Sequence, residues 1–193
     1  MSERILNVSH KEEIEYNGKK FRSNLETQTA KTLDELGIPY SYEEKKIVLQ
    51  EAFRCPYQKN MIRQLTYMPD FIIGPLMLEC KGFETPEWKI KKKLVFKWLM
   101  ENEPDTIFYQ IHDAKKQLLE ALDNHWIYLN YCLEVTSKGT KKNPSETKNY
   151  DSIKEAMEDL GLKGKPIGAI LRSLTGKTKW VYGYSWTLKK LTI

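Results

Sequence analysis

The stretch Tyr67-Met68-Pro69-Asp70-Phe71-Ile72-Ile73-Gly74-Pro75-Leu76-Met77-Leu78-Glu79-Cys80-Lys81-Gly82 decides how this chain is read. Two short apolar runs flank Gly74-Pro75, a turn dipeptide, so the pattern predicts a β-hairpin. Such a hairpin carries Asp70 to the Glu79–Lys81 end. Strand side chains alternate faces, so Glu79 and Lys81 share one face while Leu78 and Cys80 point to the other. Charged residues seldom stand in an otherwise buried strand without a partner or a role. Two carboxylates meeting at a strand end offer the oxygen ligands that Mg²⁺ prefers, and a nearby lysine can steady charge building on a phosphate. On this pattern Asp70, Glu79 and Lys81 are candidate catalytic residues. Cys80 offers a metal ligand only through its backbone carbonyl. The simpler reading of the same run is a surface salt bridge between Glu79 and Lys81, which a motif this short leaves open.

Upstream, residues 14–21 read as a hairpin around Asn17-Gly18. Ser23-Asn24-Leu25-Glu26 fits a capping box opening a helix that Gly37 stops, with Leu25, Thr29, Leu33 and Leu36 at helical spacing. Capping alone explains Glu26. It joins the site only if the fold brings that first helical turn over the Asp70 hairpin. Residues 38–50 read as strand and 51–64 as an irregular basic excursion. Downstream, Pro86 opens a helix running from Glu87 to about Asn102, in which Trp88, Leu94, Val95, Trp98 and Leu99 alternate with lysines. Those lysines read first as a solvated face, although the series follows Lys81 closely and phosphate contact is the other reading. A strand at 106–111, a helix at 113–124 and a short apolar run, Trp126-Ile127-Tyr128-Leu129, follow. This order implies an α/β fold with a mixed sheet and helices outside it.

The length of 193 residues suits one medium domain, or one domain with a small module. A 40% hydrophobic composition argues for a folded chain, and no apolar run approaches the length of a membrane span. The first residues show no secretory pattern. Three scattered cysteines, Cys55, Cys80 and Cys132, imply a reduced, intracellular setting and no zinc spacing. The histidines, at 10, 112 and 125, have no ligand spacing. Residues 135–193 hold 12 Lys+Arg against 5 Asp+Glu, a local charge of +7, which leaves −2 on residues 1–134. A basic end on a near-neutral body points to a polyanion partner, although a solvated lysine-rich surface reads almost as well. Residues 135–149 are expected to be a polar linker. Beyond it, 150–193 reads as a helix ending at Gly161, a second helix from Pro166 to Leu174, and a turn with short strands, a compact DNA-binding candidate.

Four segments in order resemble the phage endonuclease I family. They are Phe21-Arg22-Ser23-Asn24-Leu25-Glu26; Leu33 through Glu44 (Leu-Asp-Glu-Leu-Gly-Ile-Pro-Tyr-Ser-Tyr-Glu-Glu); Tyr67-Met68-Pro69-Asp70-Phe71; and Glu79-Cys80-Lys81-Gly82. That family comprises Holliday-junction resolvases of the PD-(D/E)xK nuclease superfamily, and the resemblance covers about residues 14–125. It implies a restriction-endonuclease-like sheet, with Glu26, Asp70 and Glu79 as metal ligands and Lys81 as the catalytic lysine. It also implies Mg²⁺ dependence, with Mn²⁺ able to substitute, and 5′-phosphate and 3′-hydroxyl products. The resolvases are intertwined homodimers, so a homodimer is expected too. The C-terminal run is similar to the intron-encoded nuclease repeat appended to phage homing endonucleases, over residues 149–187. There Lys165, Arg172, Lys177 and Lys179, with Trp180 and Tyr182, are expected to contact DNA.

Together these readings give a nuclease domain (1–134), a linker (135–149) and a helix-turn-helix module (150–193). The function expected is Mg²⁺-dependent, site-specific, homing-like cutting or nicking of DNA in the cytoplasm of a bacterial or phage-infected cell. A resolvase has no need of a sequence-reading tail, which places junction or branched-DNA cleavage second. A transposon-end endonuclease subunit and a DNA-binding protein without catalysis are the further alternatives.

Overall fold

The structure, a computed structural model, describes residues 13–126 and 129–191. His10, Ile127 and Tyr128 therefore lie outside the described residues. The fold is mixed α/β. Strands β1 (Ile14–Tyr16) and β2 (Lys19–Phe21) pair antiparallel around Asn17 and Gly18, whose φ angles of 49° and 71° suit the primed hairpin turn. Helix α1 (Asn24–Leu36) begins at Ser23, whose Oγ accepts the Glu26 N–H, and ends at Gly37 in the left-handed region.

The centre is a four-stranded sheet in the order β3 (Ser41–Tyr42), β6 (Phe71–Ile73), β7 (Leu76–Cys80), β8 (Ile107–Ile111). The β6–β7 pair is the expected hairpin, with Phe71 opposite Leu78 and Ile73 opposite Leu76. β7 and β8 run parallel, and helix α2 (Pro86–Asn102) supplies the long connection that a parallel pair requires. Every residue of β7 is buried, because both faces of the sheet are covered. Leu76, Leu78 and Cys80 pack in one cluster with Ala30 and Leu33 of α1 and Leu118 of α3 (Lys116–Asp123). Met77 packs in a second cluster with Trp88, Val95 and Leu99 of α2 and Tyr67 of β5 (Leu65–Tyr67). β5 pairs with β4 (Ile47–Gln50). Residues 51–64 hold only an isolated bridge between Phe53 and Ile62, in keeping with the irregular reading.

The expected linker is corrected. Val135–Ser137 belong to β9 (Tyr131–Ser137) and Thr147–Asn149 to β10 (Thr147–Tyr150), which pair antiparallel. A third strand, β11 (Tyr184–Lys190), lies on the other side of β9. Polar composition hid these strands because Thr136, Thr147 and Asn149 lie on the face opposite Leu133, Val135 and Tyr150, and Lys148, on the same face as Val135, is exposed. Helices α4 (Ile153–Asp159) and α5 (Gly168–Leu174) share with this sheet the cluster that contains Phe21, Leu33 and Leu78. Polar ties cross the same boundary. The buried Asp123 carboxylate accepts the backbone N–H groups of Ile153 at 2.5 Å and Lys154 at 3.3 Å, so α3 caps the start of α4. Tyr131 donates to the Gly37 carbonyl at 2.9 Å.

Candidate active site

The hairpin register continues one residue past β6 and sets Asp70 beside the end of β7. Asp70 Oδ2 accepts the Cys80 backbone N–H at 2.6 Å. Alternation then places Glu79 and Lys81 on the α2 side and Cys80 on the α1 side, as the sequence pattern requires. The Cys80 thiol lies 3.6 Å from Thr29 Oγ1 of α1, and burial pushes its pKa up. With its thiol on the α1 side, Cys80 offers the Asp70–Glu79 side only its backbone carbonyl.

Glu79 is 5% exposed. Its Oε2 accepts the Tyr67 hydroxyl at 2.8 Å, and its Oε1 lies 3.4 Å from Lys81 Nζ. The Lys81 ammonium also stands 5.0 Å from the centre of the Trp88 ring. Trp88 is itself fixed, by its indole N–H donating to Gln110 Oε1 at 2.8 Å and by its ring against Tyr67. The opposite end of the Lys81 residue is held as well, because His112 Nδ1–H donates to its carbonyl. Burial raises the pKa of both carboxyls. For Asp70 the Glu79 charge pushes the same way, while the Cys80 N–H and Lys81 oppose. For Glu79 the Tyr67 hydrogen bond and Lys81 oppose the burial.

These groups line a cleft of about 440 Å³ between the sheet and α2. Glu26 is not in it. It lines a neighbouring cleft of about 560 Å³, and Lys81, Arg22 and Thr85 stand on the boundary between the two. The Glu26 carboxylate is occupied by the Arg22 N–H at 3.0 Å, the Ser23 hydroxyl at 2.6 Å and the Tyr42 hydroxyl at 2.6 Å. Among the described residues no group of three or more His, Cys, Asp and Glu side chains is arranged to hold a metal ion. Asp70 and Glu79 line the cleft with the Cys80 carbonyl nearby, and Glu26 stands in the adjoining cleft, near enough for its charge to raise the Asp70 pKa. That donor set still suits Mg²⁺, which takes one or two protein carboxylates and keeps waters. Two carboxyls pressed together under burial form a site whose ionisation a cation would relieve.

The C-terminal candidates are spread over several surfaces. Lys165 Nζ lies 6.0 Å from the Tyr182 ring centre, and the Tyr182 hydroxyl donates to the Pro166 carbonyl. Lys179 lies 5.4 Å from the half-buried Trp180 ring. Arg172 is exposed in the last turn of α5. The exposed Lys177 ammonium pairs at 2.7 Å with Glu35 of α1. Another cleft, of about 460 Å³, carries Lys116, Lys154, Lys163 and Lys165 between α3 and α4, but its buried carboxylate, Asp123, is already spent as a cap.

The sequence pattern does not single out Tyr67 and Trp88, which line the cleft, and it reads Lys91 only as one of the lysine series. Tyr67 opens the decisive stretch, and strand alternation from Tyr67 was the available signal. No protein-family model, curated protein or solved structure matches the chain. None of the described helices is long and apolar enough to cross a membrane.

Proposed function

We propose that the chain is a Mg²⁺-dependent DNA endonuclease with a restriction-endonuclease-like core, cutting or nicking DNA in a site-specific, homing-like manner. The observation that carries this reading is the convergence of Asp70, Glu79 and Lys81 in one cleft at the end of a buried strand. The core reading draws further support from the mixed sheet order β3-β6-β7-β8, with α1 and α2 on opposite faces. Asp70, Glu79 and the Cys80 carbonyl would hold the cation, which supplies charge neutralisation at a phosphate and activation of water. The chain's own part is positioning. Tyr67 holds one oxygen of Glu79 and leaves the other toward Lys81. Trp88 and Glu79 together keep the Lys81 ammonium pointed into the cleft, where it donates to a phosphate oxygen as charge develops. The net charge of +7 on residues 135–193 favours a DNA substrate held on a wider surface.

A DNA-binding protein without catalysis is the second reading, since the +7 charge of residues 135–193 supports DNA binding with or without cleavage. One comparison separates the two: incubation of the full chain with a four-way junction, a nicked duplex and a genomic library, in Mg²⁺ and in EDTA. Mg²⁺-dependent cleavage is expected, lowered at least ~10²-fold in Asp70→Asn and Lys81→Ala. The pattern of substrates cut reports site-specific against junction cleavage. Binding without cleavage in any lane supports the second reading.

A further inference from the structure

Three cations line the cleft that holds Asp70 and Glu79, and two are already engaged. Arg22 pairs with Glu43 at 2.8 Å, and Lys81 stands beside Glu79. The third is Lys91, in the second turn of α2 and half-buried. On the same helix Lys92 pairs with Glu84 and Lys97 with Glu101, while Lys89, Lys91 and Lys93 are in no ion pair among the described residues, and of these three Lys91 alone lines the cleft. Its ammonium instead lies 5.8 Å from the centre of the Tyr67 ring, the same tyrosine whose hydroxyl fixes Glu79.

A partly buried ammonium gives up hydration, and a ring face returns only part of it. The Lys91 charge acts on Glu79 without an ion pair, so the ammonium can still take an anion that arrives from outside. Glu43, Asp70, Glu79 and Glu87 line the same cleft and would repel a carboxylate ligand that brought no cation with it. A phosphodiester strand brings its charge one phosphate at a time along a line. Resting on the nuclease reading above, we propose that Lys91 binds a non-bridging oxygen of the backbone phosphate next to the one cut, so that the DNA strand crosses the cleft from Lys81 toward α2. Lys91 is a substrate-binding residue in this assignment, and Lys81 alone acts at the reacting phosphate.

The test measures binding of a fluorescein-labelled linear DNA duplex across a salt series, in the Asp70→Asn background so that no strand is cut. Adding Lys91→Ala is expected to make the slope of log K against log salt shallower by about one unit, the loss of one phosphate contact. Adding Lys91→Arg keeps the slope. Adding Lys93→Ala, which removes an exposed lysine of the same helix outside the cleft, also keeps it. An unchanged slope with Lys91→Ala, or an equal loss with Lys93→Ala, overturns the assignment. The nuclease reading then still stands if the wild type cuts DNA and Asp70→Asn does not. Absence of wild-type cleavage, or full cleavage by Asp70→Asn, overturns that reading and this inference with it.

Discussion

Glu79 is the penultimate residue of a strand whose preceding residues, Leu76, Met77 and Leu78, are at most 1% exposed. A carboxylate there survives because Tyr67 donates to one oxygen and Lys81 approaches the other. The balance falls short, since burial still holds Glu79 and Asp70 above the ordinary carboxylate pKa. A carboxyl with a raised folded-state pKa binds its proton more tightly folded than unfolded. Its contribution to stability is therefore greatest at low pH and is lost as pH rises above about 4. The melting temperature of metal-free wild type, taken relative to Asp70→Asn, should fall as pH rises through that range. MgCl₂ at neutral pH should raise the melting temperature of the wild type and leave that of Asp70→Asn nearly unchanged. An equal response of the two proteins would remove Asp70 from the cation site. Glu26 behaves differently, because three donors within its own neighbourhood already satisfy it.

Turns and caps set the directions in which these residues point. Gly74 and Gly37 both have positive φ, 53° and 68°, but their surroundings differ. A Cβ at Gly37 meets nothing within 4 Å, whereas one at Gly74 would lie 2.9 Å from Leu129 Cδ2. Gly37→Ala should cost ~1 kcal/mol of left-handed strain. Gly74→Ala should cost somewhat more, because the Leu129 methyl must shift in addition to the ~1–2 kcal/mol of strain, and should also lower cleavage by disturbing the hairpin that carries Asp70. Urea melts of the two variants check the order. α2 matters in another way. Its buried face of Trp88, Val95 and Leu99 covers the sheet, and its first turns bring Trp88 and Lys91 to the cleft. The lysine series that reads as one solvated face is therefore divided, with Lys91 half-buried in the cleft and Lys93 exposed.

At the scale of the molecule, the basic C-terminal residues share a core with the body. Trp186, Ile170 and Ile153 lie in the same cluster as Phe21 and Leu78, and Asp123 caps α4 across the boundary. Asp123→Ala would strand the Ile153 N–H in a buried setting and should cost ~1–3 kcal/mol. Calorimetry of the full chain should show one transition, and Asp123→Ala should lower it as a whole. Two transitions, with only one of them moved, would mean that the halves unfold independently. A cut after residue 134 passes through β9, so removal of residues 135–193 is expected to expose the core rather than release a free nuclease body. The hairpin of Asp70 and Glu79, the Asn17-Gly18 turn, and the start and end of α1 and α2 were legible from residue order, because turn chemistry, capping and strand alternation act over a few residues. That Glu26 opens on a neighbouring cleft, that Thr147–Asn149 form a strand, and that Tyr67, Trp88 and Lys91 gather at the site could not be read that way. Those outcomes depend on which buried faces meet, and that is settled by packing between residues far apart in the chain.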